Sequence, residues 1–137
     1  MEKSPGTDFQ WASGNQVLFN FNRAIRSAEK TVIVVEGFFD AMKVHQAGHD
    51  NVVALMGSTL SQRQSDLLTD RFEAVTLMLD GDPPGRRAAD MIEKALGSRM
   101  LVNRVDVGEA RQPDQMKSPE INALVGPARS RAFSMER

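Results

Sequence analysis

Apolar positions along the chain follow two patterns. Short runs of consecutive apolar residues alternate with longer stretches where apolar residues return every three or four positions. The runs predict strands at 31–35, 51–55, 74–79 and 100–107. The first of them, TVIVV, is β-branched and apolar on both faces, as a central parallel strand should be. The periodic stretches predict helices at 40–47, 61–72 and 86–96. Gly48 and Gly97 stand where the first and last of these should stop. Leu67, Leu68 and Phe72 give the second helix its inward face, and Ala88, Ala89, Ile92, Ala95 and Leu96 the third.

Outside this alternation the signal is thinner. Residues 1–12 read as an irregular lead-in. Ser13-Gly14-Asn15-Gln16 fits a capping box, and Val17, Leu18, Phe21, Ala24, Ile25 and Ala28 continue it as a helical stripe. A short helix is expected at 118–125, with a frayed tail from Gly126 onward. Strands alternating with helices of this length indicate βαβ units and a parallel sheet covered on both faces.

Composition narrows the class. The 137 residues suffice for one ordinary domain, and 41% hydrophobic with 26% charged residues is usual for a globular chain. A formal net charge of −1 supplies no global basic field to draw the chain to nucleic acid. The chain has no cysteine, which excludes disulfides and thiolate-ligated metals and suits an intracellular protein. No apolar run approaches a membrane span and the start lacks an apolar signal core. A cytoplasmic location without membrane contact is the expectation.

The candidate chemistry lies at the strand ends. Glu36 follows the first strand, in VIVVEGFFD, and Asp80-Gly81-Asp82 follows the third, in TLMLDGDPPGRRAA. In open α/β sheets ligands sit beyond the carboxyl ends of the strands, so both acidic elements belong to one edge. If the two strands are neighbours, Glu36, Asp80 and Asp82 come within reach of one ion, with Asp40 one helical turn further out. Like charges crowded at a buried strand tip are relieved by a hard divalent cation, and Mg²⁺ is the common choice beside phosphate. Asp82 also reads as a helix cap.

Other residues carry weaker signals. Arg86 and Arg87 open the third helix, within reach of phosphate or on a solvated face. Ser58 and Thr59 follow the second strand and read as cap residues or phosphate contacts. His45 and His49 are four apart, but Gly48 falls between them and no third ligand is evident, so a histidine metal site is not expected. Phe21 reads as core, while Trp11 is open between base stacking and packing. Asp50 and Asp66 read as loop and surface carboxylates.

These strings resemble the Toprim domain shared by topoisomerases, bacterial primases and some nucleases. VVEGFFDAMKVHQAG, VVALMGSTLS and LMLDGDPPGRRAA are similar to bacterial-type DNA primase segments, as is the lead-in KSPGTDFQWASGNQVLFNFNRA. The likeness spans about residues 3–116. It implies an α/β Toprim (Rossmann-like) fold of about four parallel strands flanked by helices, with an N-terminal helix. The implied division is a lead-in at 1–30, the catalytic Toprim domain at 31–117, and a C-terminal helix and tail at 118–137. Carried over by position, Asp80 and Asp82 are Mg²⁺ or Mn²⁺ ligands, Glu36 a ligand or acid–base group, and Asp40 and Asp114 further acidic positions. Gln112 stands where the family has another acid, which leaves one metal position without its ligand. The implied reaction is nucleotidyl transfer from nucleoside triphosphates on a single-stranded DNA template, making RNA primers, with a replicative helicase left open as partner. The family places a basic subdomain and a zinc module upstream. Neither occurs in these residues, so the chain is expected to bind metal and polymerise poorly alone. Phosphodiester cleavage by the same ions and a non-catalytic binding module are the alternatives.

Overall fold

The computed structural model describes residues 18–135. Four strands form one parallel sheet: β1 (Thr31–Val35), β2 (Val52–Ala54), β3 (Ala74–Leu77) and β4 (Leu101–Arg104), in the order β2-β1-β3-β4. Every residue of β1, β2 and β3 is buried, which explains why Thr31 and Thr76 alone interrupt their apolar sequence. Edge strand β4 is only partly covered, and it carries the polar Asn103 and Arg104. The helices are α1 (Phe21–Ala24), α2 (Phe38–Gln46), α3 (Gln62–Arg71), α4 (Pro83–Leu96) and α5 (Ser118–Met135), with a 3₁₀ turn at Pro113–Gln115.

Alternation along the strands divides the core in two. Val32, Val34, Val53, Val75 and Leu77 face one layer, packed with Leu68 of α3 and with Ala88 and Ile92 of α4. Ile33, Val35, Val52, Ala54 and Met78 face the other, with Ala41 and Val44 of α2 and Ile121 and Val125 of α5. Each buried Val, Ile or Leu contributes about 1.5–3 kcal/mol of transfer free energy. The four-stranded α/β plan expected from the sequence is thus the observed one.

The differences are local. The N-terminal helix is one turn, because Leu18 and Phe19 run extended, Phe19 bridges Ala54 in antiparallel fashion, and Asn20 takes a left-handed φ of 70°. The proposed capping box at 13–16, Val17 and Trp11 lie outside the described residues. Helix α3 is capped by Ser61, whose Oγ accepts from the Gln64 N–H at 3.1 Å while Gln64 Oε1 accepts from the Ser61 N–H at 3.0 Å. Ser58 and Thr59 sit too early in the chain to serve as that cap. Strand β3 closes at Leu77, three residues before Asp80, and α4 begins three residues earlier than expected because Asp82 caps it and Pro83 opens its first turn. Helix α5 runs on to Met135 through Gly126-Pro127, where a stop was expected. Its first two turns are held by buried Ile121 and Val125.

Candidate metal centre

Strands β1 and β3 are neighbours, with Val34 opposite Leu77, so the acids that follow them meet at one rim. Glu36 Oε2 accepts from the Asp80 backbone N–H at 3.4 Å. Burial pushes the Glu36 carboxyl above its usual range, and Asp82 and Asp40 push it the same way. Asp80 is the most perturbed group. Burial first, then the charges of Glu36, Asp40, Asp82 and Asp114, push its carboxyl up to about 7. Asp80 Oδ1 is buried with no hydrogen-bond partner. Thr76 Oγ1 and Asn103 Nδ2 are the other such atoms among the described residues, and they are neutral groups facing each other within the β3–β4 register. Among the described residues, Asp80 is the one acid with a buried carboxylate oxygen left unsatisfied.

The other acids are already engaged. Asp82 Oδ1 accepts from the Gly85 N–H at 2.7 Å, so the residue caps α4 and keeps its second oxygen free. Asp40 is buried, and both of its oxygens are taken. Oδ2 accepts from the Gly37 N–H at 3.3 Å and Oδ1 from the Asp114 N–H at 3.0 Å. It ties the loop after β1 to the 3₁₀ turn. Asp114 is exposed on that turn, and its charge helps raise both Asp40 and Asp80. Gln112 is exposed at the start of the turn, where its N–H donates to Gln115 Oε1. The five acids expected from the sequence therefore gather at one edge. Among the described residues, no three His, Cys, Asp or Glu side chains stand in an arrangement that would itself hold a metal ion.

Backbone packing fixes the turn between Asp80 and Asp82. Gly81 donates its N–H to Arg111 O at 2.7 Å and accepts at its carbonyl from the Ala110 N–H at 2.6 Å. Arg86 Nη1 adds a second bond to the same carbonyl at 3.2 Å. A Cβ at Gly81 would stand 1.9 Å from Gly108 O, and one at Gly85 would stand 2.1 Å from Asp80 O. Only glycine allows these approaches. The bracing loop at 108–111 has left-handed residues of its own, Gly108 at φ 105° and Ala110 at φ 61°. Sequence reading missed this loop, because a lone Ala in left-handed conformation leaves no compositional mark.

The remaining residues are placed as follows. Arg86 and Arg87 are both exposed on α4, and Arg86 reaches back to the acidic turn. Ser58 is exposed in the loop whose Met56 and Gly57 N–H groups donate to Glu36 O, at 2.7 and 3.3 Å. His45 pairs with Asp50 at 2.9 Å and Arg23 at 3.1 Å, while His49 turns to Asn122 at 2.6 Å. The two imidazoles turn to different partners. Phe21 packs against the core, and Phe19 meets Phe38 edge to face at 4.9 Å. Asp66 is a surface carboxylate paired with Arg99.

The donor set suits a hard divalent ion. It consists of carboxylate oxygens whose mutual repulsion a cation would relieve, and one buried oxygen lacks any other partner. No helix among the described residues is long and apolar enough to cross a membrane.

Comparison with known proteins agrees with this fold. A family model described as the Toprim domain matches residues 30–106. The DNA primase of Staphylococcus epidermidis is 37% identical over 102 residues, covering 72% of this chain and 17% of that protein. The crystal structure of the Aquifex aeolicus primase zinc-binding and RNA polymerase domains superposes with a TM-score of 0.73 at 30% identity. That match covers 82% of this chain and 30% of the other. A DnaG primase catalytic domain bound to single-stranded DNA gives a TM-score of 0.70 at 25% identity, over 85% of this chain and 40% of that one. The chain thus spans under a fifth of the length of the curated relatives it matches.

Proposed function

The chain belongs to the Toprim family and is homologous to bacterial DNA primases, and from that premise we propose that it is the metal-binding domain of a primase-type nucleotidyltransferase. Its substrates are nucleoside triphosphates and a single-stranded DNA template, its product a short RNA primer, and its setting cytoplasmic DNA replication. The observation that carries this reading is the partnerless Asp80 oxygen at a rim shared with Glu36 and Asp82.

Glu36, Asp80 and Asp82 would hold Mg²⁺ or Mn²⁺, with Asp40 and Asp114 supplying further negative charge. A cation held there would supply charge neutralisation for the leaving pyrophosphate and would lower the pKa of the attacking hydroxyl. The protein's own contribution is positional. Asp82 is locked by its cap on α4, Asp80 by the clamp on Gly81, and Glu36 by the Asp80 N–H. Arg86, tied to Gly81 O, brings a guanidinium toward phosphate oxygens, and Ser58 offers a hydroxyl from the loop beside Glu36. With no net positive charge, the chain needs further basic surface to hold a template well.

Incubation with Mn²⁺, a labelled single-stranded DNA and nucleoside triphosphates tests the reading. The chain is expected to extend primers weakly on its own and to lose that activity in Asp80→Asn. Cleavage of the DNA without triphosphates would replace it with the nuclease reading. Mn²⁺ binding with neither reaction, even at high protein concentration, would leave a binding module.

A further inference from the structure

The acidic rim opens on one side into a cleft that shares Asp80 and Arg86 with the site above and extends beyond it. It lies between the start of α4 and the end of edge strand β4, and has a volume of about 270 Å³. Leu79, Ala89 and Val107 give it apolar walls, Asp80 stands at its near end, and Arg86, Arg104 and Asp106 complete the lining. Small-molecule pockets run from about 300 Å³ upward, so this one suits a single ring system.

The polar groups around it are fixed in place and only partly used. Arg104 Nη1 is held by Asp90 at 2.7 Å and Glu93 at 3.1 Å, and its other nitrogens have no partner among the described residues. Asp106 Oδ1 accepts from the Gly108 N–H at 2.9 Å, which leaves Oδ2 available. Arg86 spends one nitrogen on Gly81 O. A cleft with apolar walls thus carries an acceptor in Asp106 and two guanidiniums, Arg104 and Arg86, with Asp80 in the same lining.

This combination fits a heterocycle bearing an exocyclic amine on one side and an anionic tail on the other. Apolar walls receive the ring faces, Asp106 accepts from the amine, and an arginine stacks on or bonds to what protrudes. We propose that the cleft seats the base of a nucleotide whose phosphates extend past Arg86 to the acidic rim. The proposal deepens the nucleotidyl-transfer reading and rests on it. It adds Ala89, Arg104, Asp106 and Val107 as residues that hold the base.

The test compares two probes on the intact chain with Mg²⁺: α,β-methylene-ATP, and inorganic tripolyphosphate, which lacks the ring. Amide shifts on adding the nucleotide should centre on Ala89, Val105 and Val107, and tripolyphosphate should leave these unmoved. Ala89→Leu, which fills the slot, should weaken the nucleotide about 10-fold or more while tripolyphosphate and Mn²⁺ affinities hold. Should that variant fail to fold, Arg104→Gln at the exposed mouth replaces it and is read by the same affinities. Equal binding of nucleotide and tripolyphosphate, or unchanged nucleotide affinity in the variant, would overturn the base seat. Loss of Mn²⁺ binding in the unmodified chain would instead sink the metal reading, and the shifts at Ala89 and Val107 would still decide the cleft.

Discussion

The ends of β1 and β3 are built on one plan and finished differently. Each strand runs into an acid, a glycine and a helix start. After β1, Asp40 turns back and spends both carboxylate oxygens on the N–H groups of Gly37 and Asp114. After β3, Asp82 spends one oxygen on the cap of α4, and Asp80 Oδ1 has nothing to bond. A Cβ at Gly37 would sit in ordinary van der Waals contact, 3.6 Å from Asp40 Oδ2, whereas Gly81 is pressed against Gly108 O. The first junction uses its inner acid as a strut. The second is clamped through its backbone so that its acid can stay bare.

If so, equal substitutions at the two junctions have unequal effects. Asp80→Asn should reduce Mn²⁺ affinity by more than the ~10–100-fold typical of losing a partner outside the coordination sphere. Asp40→Asn should stay within that range, and an equal loss from both, by calorimetric titration, would erase the distinction. Gly81→Ala should cost about 3 kcal/mol or more in denaturant unfolding, because its Cβ meets backbone that cannot yield. Gly37→Ala should change stability by less than about 1 kcal/mol. In the metal-free chain, Asp40→Ala should destabilise by about 1–3 kcal/mol by stranding two N–H donors.

The smallest effect separates the junctions by sign. Asp80 has its folded pKa raised to about 7 by burial and neighbouring charge. The folded chain therefore holds that proton more tightly than the unfolded one, whose carboxylates titrate near ~4. The stability this brings is fully present below that value and is lost as pH rises through about 7. Metal-free Asp80→Asn should then melt higher than the unmodified chain at pH 8, and the advantage should vanish toward pH 4. Melting curves that run parallel across that range would contradict the burial of Asp80.

The sequence shows the alternation of buried strands and amphipathic helices plainly, because each element reports itself through local periodicity. Thr31–Val35 and its neighbours needed no tertiary information. The shared rim was legible too, since strand ends in a parallel sheet point the same way. What stayed hidden depends on contacts distant in sequence. Asp40 looked like one more ligand, and only its bonds to Gly37 and Asp114, 74 residues away in the latter case, mark it as a strut. The clamp from 108–111 onto Gly81 rests on backbone groups alone, which no side-chain pattern reports. Phe19 lies inside the span 17–28 expected to be helical yet bridges Ala54, since pairing with a sheet edge outweighed the periodicity around it.

Paramagnetic broadening of backbone amides by substoichiometric Mn²⁺ measures where the cation sits. Signals of Glu36, Gly37, Asp80, Gly81 and Asp82 should disappear first, ahead of those near the exposed pair Asp66 and Asp70. Broadening centred on surface carboxylates, with the rim signals intact, would contradict the account.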